Sequence, residues 1–459
     1  MIVHNLALAE LESWSRKLDL RDALAKYGPN TYIFSEQQLD DNIREWIHFA
    51  GSSNKIFFPV KANPSPAVLE LLASHGCNAE CASIAEIALA KRCGFSDQNI
   101  LYHSPGLDID MAREVLIHGG NVVVDSENQL DLLSDSLRSH KCDSSVGNAD
   151  AGGVLVRLNP AIESKYINPP AFHNTTKLGK GSKFGVPSED VVNMLMNKKY
   201  DNVPIVGLHV HIGTQMDHAE PFIDAANHLA ELAEQISSQT SHHITILDLG
   251  GGAGIPYAVE DKYPTISALG DALKPTLSKY RAYGYDFWFE PGQGLVGNTT
   301  GLLGSILYKK DIRGKKWAIA SIGFDQLVTA SHLGWLRPVM GPDNKILPSN
   351  GPDSIAGPLC FSGETISPQT DISSLKQGDP IFVMHTGAYC GSMANTFNGR
   401  RSGGAIIMRT DGTFHRITAA ATLFDEPLAR GYPYGLLLHN TKCNGGDNKD
   451  TAEEKKSGL

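Results

Sequence analysis

The chain has 459 residues, 45 of them glycine, and 40 Lys and Arg against 50 Asp and Glu, for a formal net charge of −10. That balance argues against a duplex nucleic-acid binder or an anionic-membrane binder, which carry a basic excess. Hydrophobic residues at 41% and charged residues at 20% describe a globular chain, long enough to build a core without metal or disulfide staples.

Residues Met1 to Asp19 read as a helix interrupted by Glu10, Glu12, Arg16 and Lys17. No window reaches ~18 apolar residues, so neither a signal peptide nor a membrane span is expected. Eight strand-like runs follow: Lys55–Ala62, Asn78–Ser83, Asn99–Pro105, Asn121–Ser126, Val154–Pro160, Ile205–Gly213, Ile244–Gly252 and Asp286–Gly292. The spacers between them, such as PAVLELLASHG and SIAEIALAKRCG, carry apolar residues at helical spacing, several with a closing glycine. Alternating β and α units over about 250 residues predict a (β/α)8 TIM-type barrel.

After Gly292 the pattern changes to strand-like runs with turn residues, including a TDGT hairpin signal at 410–413. This predicts a C-terminal all-β domain, with a loop over Asp343–Pro358 rich in Pro, Gly and Ser. The expected organisation is an N-terminal segment, 1–32, able to join the β domain; the barrel, 33–293; the β domain, 294–438; and a flexible tail, 439–459. The seven cysteines, Cys77, Cys81, Cys93, Cys142, Cys360, Cys390 and Cys443, are odd in number and irregularly spaced. They predict reduced thiols and a cytoplasmic protein.

Barrel enzymes work at the C-terminal ends of their strands, so polar residues closing the runs are the candidates. Lys61 closes the first run, where desolvation lowers a lysine pKa and suits imine formation; a rim lysine reaching solvent is the plainer reading. His209 and His211 close the sixth run on one face. Two such imidazoles can hold a metal, serve as a flat plate against a planar cofactor, or simply make ordinary hydrogen bonds. The seventh run ends in Gly250, Gly251, Gly252 and then Gly254, which is either a tight turn or a backbone phosphate cradle. Glu290 closes the eighth run and needs a cationic partner or several donors. A lysine, a flat plate, a phosphate cradle and a carboxylate together fit one ligand, pyridoxal 5′-phosphate.

In order, the segments VKAN, HVHIGTQ, LDLGGGAGI, FEPGQ, GPLC and GAYCGSMANTFNG resemble the barrel-type (fold type III) pyridoxal-phosphate decarboxylases, the diaminopimelate and ornithine decarboxylase family. The resemblance covers about Thr31 to Leu438. It implies decarboxylation of a small α-amino acid and a homodimer with active sites at the interface, with no role for nucleic acid, membrane or metal. It implies that Lys61 bonds the cofactor aldehyde and that His211 stacks on the pyridine. Thr214, Gly251, Gly252, Gly254, Gly292 and Tyr389 would lie about the phosphate. Glu290 would face the pyridine nitrogen, and Cys360, from across the interface, would protonate the product carbon.

Two positions depart from the pattern. Gln293 stands where the family has an arginine, and Phe361 stands where it has Asp or Glu after the cysteine. Glu364 is a candidate replacement for that missing acid. Gln293, Phe361 and Glu364 are therefore the expected substrate-contacting residues. They imply a specialised substrate, for example a conjugated amino acid of natural-product or siderophore biosynthesis. The alternatives are an ordinary diaminopimelate decarboxylase of lysine biosynthesis, a metal-dependent barrel hydrolase using His209 and His211, a racemase-like use of the cofactor, and a non-catalytic homologue.

Overall fold

The computed structural model describes residues 5–6, 13–139, 152–160, 182–258, 261–400 and 403–419. The residues 439–459 read as a tail lie outside these. The first long strand, β1 (Thr31–Ser35), precedes the barrel. Ser35 then caps the helix Glu36–Ala50 by accepting from the Gln38 amide at 3.2 Å, which satisfies one of the amides a helix start leaves open.

The eight predicted barrel strands are all present: β2 (Phe57–Pro59), β3 (Asn78–Cys81), β4 (Ile100–His103), β5 (Asn121–Val124), β6 (Val154–Asn159), β7 (Ile205–His209), β8 (Ile246–Asp248) and β9 (Asp286–Trp288). Each pairs in parallel with its neighbour in sequence order. A parallel bridge from Ile56 to Phe289 joins the last strand to the first. It is tied by Phe57 N–H to Phe289 O at 2.8 Å and Phe289 N–H to Lys55 O at 2.9 Å. The ring is therefore closed, and no barrel edge is left to pair elsewhere.

Period-2 alternation sorts the strand residues into layers. Phe57, Leu101, Val123, Leu155 and Trp288 form their own buried cluster with Ile246 against it, which fills the barrel floor. The intervening Phe58, Tyr102, Val122, Val124, Val154 and Val156 pack with the helix residues in the main core. Two residues beyond the floor, on the same face, stand His103, Asp125, Arg157, Asp248 and Glu290, all buried. The polar layer of the site thus lies directly on the apolar floor.

The second sheet is built from β10 (Thr300–Ile312), β11 (Lys315–Ala320), β12 (Asp353–Ala356), β13 (Ser367–Thr370), β14 (Pro380–Val383), β15 (Ala405–Met408) and β16 (Phe414–Thr418). Its order is β13-β12-β11-β10-β1-β15-β16, with β14 also on β10. β1 lies antiparallel to β10, Thr300 opposite Phe34, and parallel to β15. The β15–β16 hairpin turns through Gly412 at φ 82°, closed by Arg409 N–H to Thr413 O at 2.8 Å.

Three local readings differ from expectation. Asn5–Leu6 is a short strand paired to Tyr263–Pro264, not helix. Asp353–Ala356, within the presumed loop, is a strand because Trp317 and Ile319 of β11 offer it a parallel partner. A short helix, Val328–Leu333, interrupts the β region.

Candidate active site

Above the polar layer is a cavity of ≈ 530 Å³, a size suited to a small ligand. Lys61, His211, Thr214, Gly251 and Gly252 line it, together with Glu290, Gly292, Gln293 and Tyr389. Of the expected cofactor residues only Gly254 is not on its wall. The Gly254 N–H is engaged by Met216 O at 3.2 Å, and a Cβ there would come within 2.4 Å of the Tyr263 ring. That glycine is therefore a packing requirement. Gly250 acts similarly: its N–H binds Asp248 Oδ1 at 2.8 Å, and its φ is 65°. Gly251 faces the cavity because a Cβ would lie 2.4 Å from the Glu290 carbonyl oxygen. Its N–H reaches His211 Nδ1 at 3.4 Å.

Lys61 follows β2 in a tight 3-10 turn, Val60–Ala62, and its ammonium pairs with Glu80 Oε2. Burial pulls the lysine pKa down, but the carboxylates of Glu80 and Glu290 outweigh it and the net shift is upward. The lowered pKa expected from desolvation is thus corrected, because two acids share the pocket with this lysine. Burial raises Glu80 to about 7, against the pull of Lys61.

Glu290 is 5% exposed. Burial would raise it, but His209 and Lys61 outweigh that and hold the carboxyl well below its usual range. Asp248 moves the other way, raised by burial and by the charge of Glu290. His103, His209 and His211 are all shifted down, first by burial, His211 to about 3. The three imidazoles are therefore neutral at ordinary pH, and the positive charge of the site comes from Lys61 and Arg157. Arg157 Nη1 holds Asp125 Oδ1 at 3.2 Å and His103 Nε2 at 3.2 Å, and its guanidinium lies 4.4 Å from the Phe184 ring centroid.

The histidine pair does not act as one motif. His209, His103 and Glu290 have ligand atoms within 4.8 Å of one another, whereas His211 stands a layer higher on the cavity wall. The nearest partner for His209 Nε2 is Glu290 Oε1 at 3.3 Å.

The expected substrate residues separate. Gln293 is on the wall, and its amide donates to the Tyr257 hydroxyl at 2.5 Å; its Oε1 has no partner. Glu364 does not reach the cavity. Its carboxylate accepts from Phe324 N–H at 2.7 Å and Leu359 N–H at 2.8 Å. Those bonds engage both carboxylate oxygens with backbone amides, one of them beside Cys360. Cys360 and Phe361 are exposed and also lie off this wall. Phe361 packs on Phe324, ring centroids 4.7 Å apart.

The cavity fits pyridoxal phosphate. It offers an amine at Lys61, a buried carboxylate at Glu290 and a ring at His211 on its wall, and a glycine turn that admits no Cβ. A family model for the pyridoxal-dependent decarboxylase pyridoxal binding domain matches residues 36–297. The chain belongs to the pyridoxal-dependent decarboxylases. It is 27% identical to the diaminopimelate decarboxylase of Methanocaldococcus jannaschii over 414 residues, 86% of this chain and 90% of the relative. A crystal structure of diaminopimelate decarboxylase from M. jannaschii superposes with a TM-score of 0.78 at 25% identity, covering 91% of this chain and 95% of that one. The Helicobacter pylori diaminopimelate decarboxylase, solved with L-lysine, gives 0.78 at 23% identity, over 89% and 98% of the two chains.

Sequence reasoning passed over Glu80, His103 and Arg157, which also line the cavity of this decarboxylase, and the buried Asp125 and Asp248 in the layer beneath it. A signal was available, since all five are polar residues within predicted strand runs. Asp125 is the last residue but one of its run, but Glu80, Arg157 and Asp248 lie nearer the middle, where a rule confined to strand ends does not look. Among the described residues, no helix is long and apolar enough to cross a membrane. Cys77, Cys81, Cys93 and Cys390 are buried free thiols.

Proposed function

We propose that the enzyme decarboxylates an α-amino acid whose distal end is neither the carboxylate nor the ammonium that the family pattern serves. The observation carrying the reading is Lys61 and Glu290 on one cavity wall with His211, where Gln293 replaces a cation and Glu364 is committed to backbone amides. Bound pyridoxal phosphate supplies an electron sink for the pair left behind when the carboxylate leaves as CO2.

The chain supplies the rest. Lys61 presents its nitrogen beside Glu80, which can hold or receive a proton at Oε2. Glu290 would set negative charge against the ring nitrogen, and His211 would offer its ring face to the cofactor. Thr214, Tyr389 and the Gly251–Gly252 backbone would hold the phosphate end by hydrogen bonds. Gln293 brings an uncharged amide to the wall, and it cannot form the bidentate pair an arginine would make with a carboxylate.

Cys360 delivers a proton to the product carbon of a second copy of the chain. It is exposed, off its own cavity wall, next to Phe361, whose ring lies 6.5 Å from that of Phe397, the two being 37% and 41% exposed. The reading is therefore a homodimer.

Borohydride reduction followed by mass spectrometry should place a phosphopyridoxyl group on Lys61, and Lys61→Ala should remove both adduct and activity. An adduct on another lysine overturns the assignment. An amino-acid panel scored by CO2 release tests the substrate. A family-normal rate on meso-diaminopimelate would remove the specialised-substrate reading and leave the decarboxylase. Loss of α-hydrogen without CO2 would point to racemisation instead. Mixing inactive Lys61→Ala with inactive Cys360→Ala should restore up to about a quarter of the activity through mixed dimers; no restoration would place Cys360 outside the shared site.

A further inference from the structure

His209 is fully enclosed in the site, 0% exposed. Neither of its ring nitrogens has a hydrogen-bond partner among the described residues, and the same holds for Glu290 Oε1. His209 Nε2 and Glu290 Oε1 face each other at 3.3 Å. Buried polar atoms left unpaired are costly; among the described residues the candidates beside Glu290 are His209 Nε2 and the Asp248 carboxyl, whose Oδ2 is also unpaired. The ring is also held from behind. His103 packs edge-on at 4.8 Å and 68°, itself fixed by Arg157 at 3.2 Å, Glu80 at 3.7 Å and Asp125 at 3.9 Å.

A neutral imidazole has one N–H. Carried on Nε2, it points at Glu290, and a hydrogen bond to the charged form of a carboxyl favours that form. Beside Glu290, Asp248 is the second buried acid, with Oδ1 engaged by Gly250 N–H. Lys61 and Arg157 act on Glu290, whereas the charges acting on Asp248 are the acids Glu290 and Glu80. Two such carboxyls do not both ionise readily, and an asymmetric donor decides which one does.

We propose that His209 is a positioning residue which, through a hydrogen bond from Nε2 to Glu290 Oε1, makes Glu290 rather than Asp248 the ionised member of the buried pair. The inference rests on the reading above that Glu290 faces the ring nitrogen. His209 touches neither substrate nor cofactor and acts only through Glu290.

The test uses holoenzyme loaded with pyridoxal phosphate labelled with 15N in the ring, read by NMR without substrate. His209→Gln places an amide N–H near the Nε2 position and should leave the ring nitrogen protonated as in the parent. His209→Asn places its amide near Nδ1, out of reach, and should lose that protonation at neutral pH. With it kcat should fall about tenfold to a hundredfold, the cost of one unsatisfied buried acceptor, with KM little changed. Both variants are polar and similar in size, so equal behaviour of the two overturns the proposal. Glu290→Gln separates the two layers of argument. If it leaves the nitrogen protonated, the assignment of Glu290 fails. If it removes protonation while His209→Asn does not, only the role of His209 fails.

Discussion

Removing the Glu364 carboxylate should unfold the enzyme more easily rather than weaken substrate binding. The side chain is 7% exposed, and its oxygens take the amides of Phe324 and Leu359 at 2.7 and 2.8 Å. A Cβ on Gly323 or Gly357 would sit 2.0 or 2.4 Å from Oε1, so the backbone is moulded around this group. Glu364→Ala leaves two amides without acceptors, at about 1–3 kcal/mol each. Water entering the vacated space recovers part of that, leaving about 2–4 kcal/mol. Glu364→Gln keeps one acceptor and should cost about half as much. Urea unfolding of cofactor-loaded protein reads the loss as a lower midpoint at unchanged slope. The adjoining loop carries Cys360, whose N–H is held by Asn398 Oδ1 at 2.9 Å, so kcat should fall while KM holds. An alanine variant as stable as the parent with a raised KM would refute the reasoning and return Glu364 to the substrate.

Arg157→Met strands Asp125 as an uncompensated buried carboxylate and should cost about 3–5 kcal/mol, measured by the same urea titration; a loss below 1 kcal/mol would mean that solvent reaches Asp125. Gly251→Ala pushes a methyl to 2.4 Å from the Glu290 carbonyl oxygen and should release the cofactor on dialysis, scored by bound pyridoxal phosphate per chain. Stability should also fall in acid. His211 and His385 have pKa values held down to about 3 by burial, so the unfolded chain binds their protons first. The contribution is whole above the ordinary histidine value of about 6.5 and is lost as pH falls from there toward 3. Unfolding midpoints at pH 7, 5.5 and 4 check this, and a flat profile would contradict the burial of those rings.

Much of this architecture is local information. Each barrel strand is a short apolar run between capped helices, and a parallel strand covered on both faces needs little more than that run and its spacer. The strand-end rule located Lys61, His211, Glu290 and the glycine turn for the same reason, since period-2 alternation and strand direction fix which end and which face a residue takes. The strand Asp353–Ala356 was not legible, because its polar, glycine-flanked sequence becomes β only when Trp317 and Ile319 pair with it.

The sequence by itself determined the barrel and a lysine at a strand end, both consequences of residue type and spacing, while the resemblance to the family marked Gln293 as standing where an arginine is expected. Tertiary structure alone decided the electrostatics. Lys61 is charged because Glu80, a neighbouring strand away, faces it. The Glu364 oxygens are taken by the nearby Leu359 amide and the distant Phe324 amide. His209 and His211 diverge because one strand step separates the buried layer from the cavity wall. Charge and burial depend on what lies within a few ångströms in space, and for these residues those neighbours come from other strands of the closed barrel and from loops of the β domain.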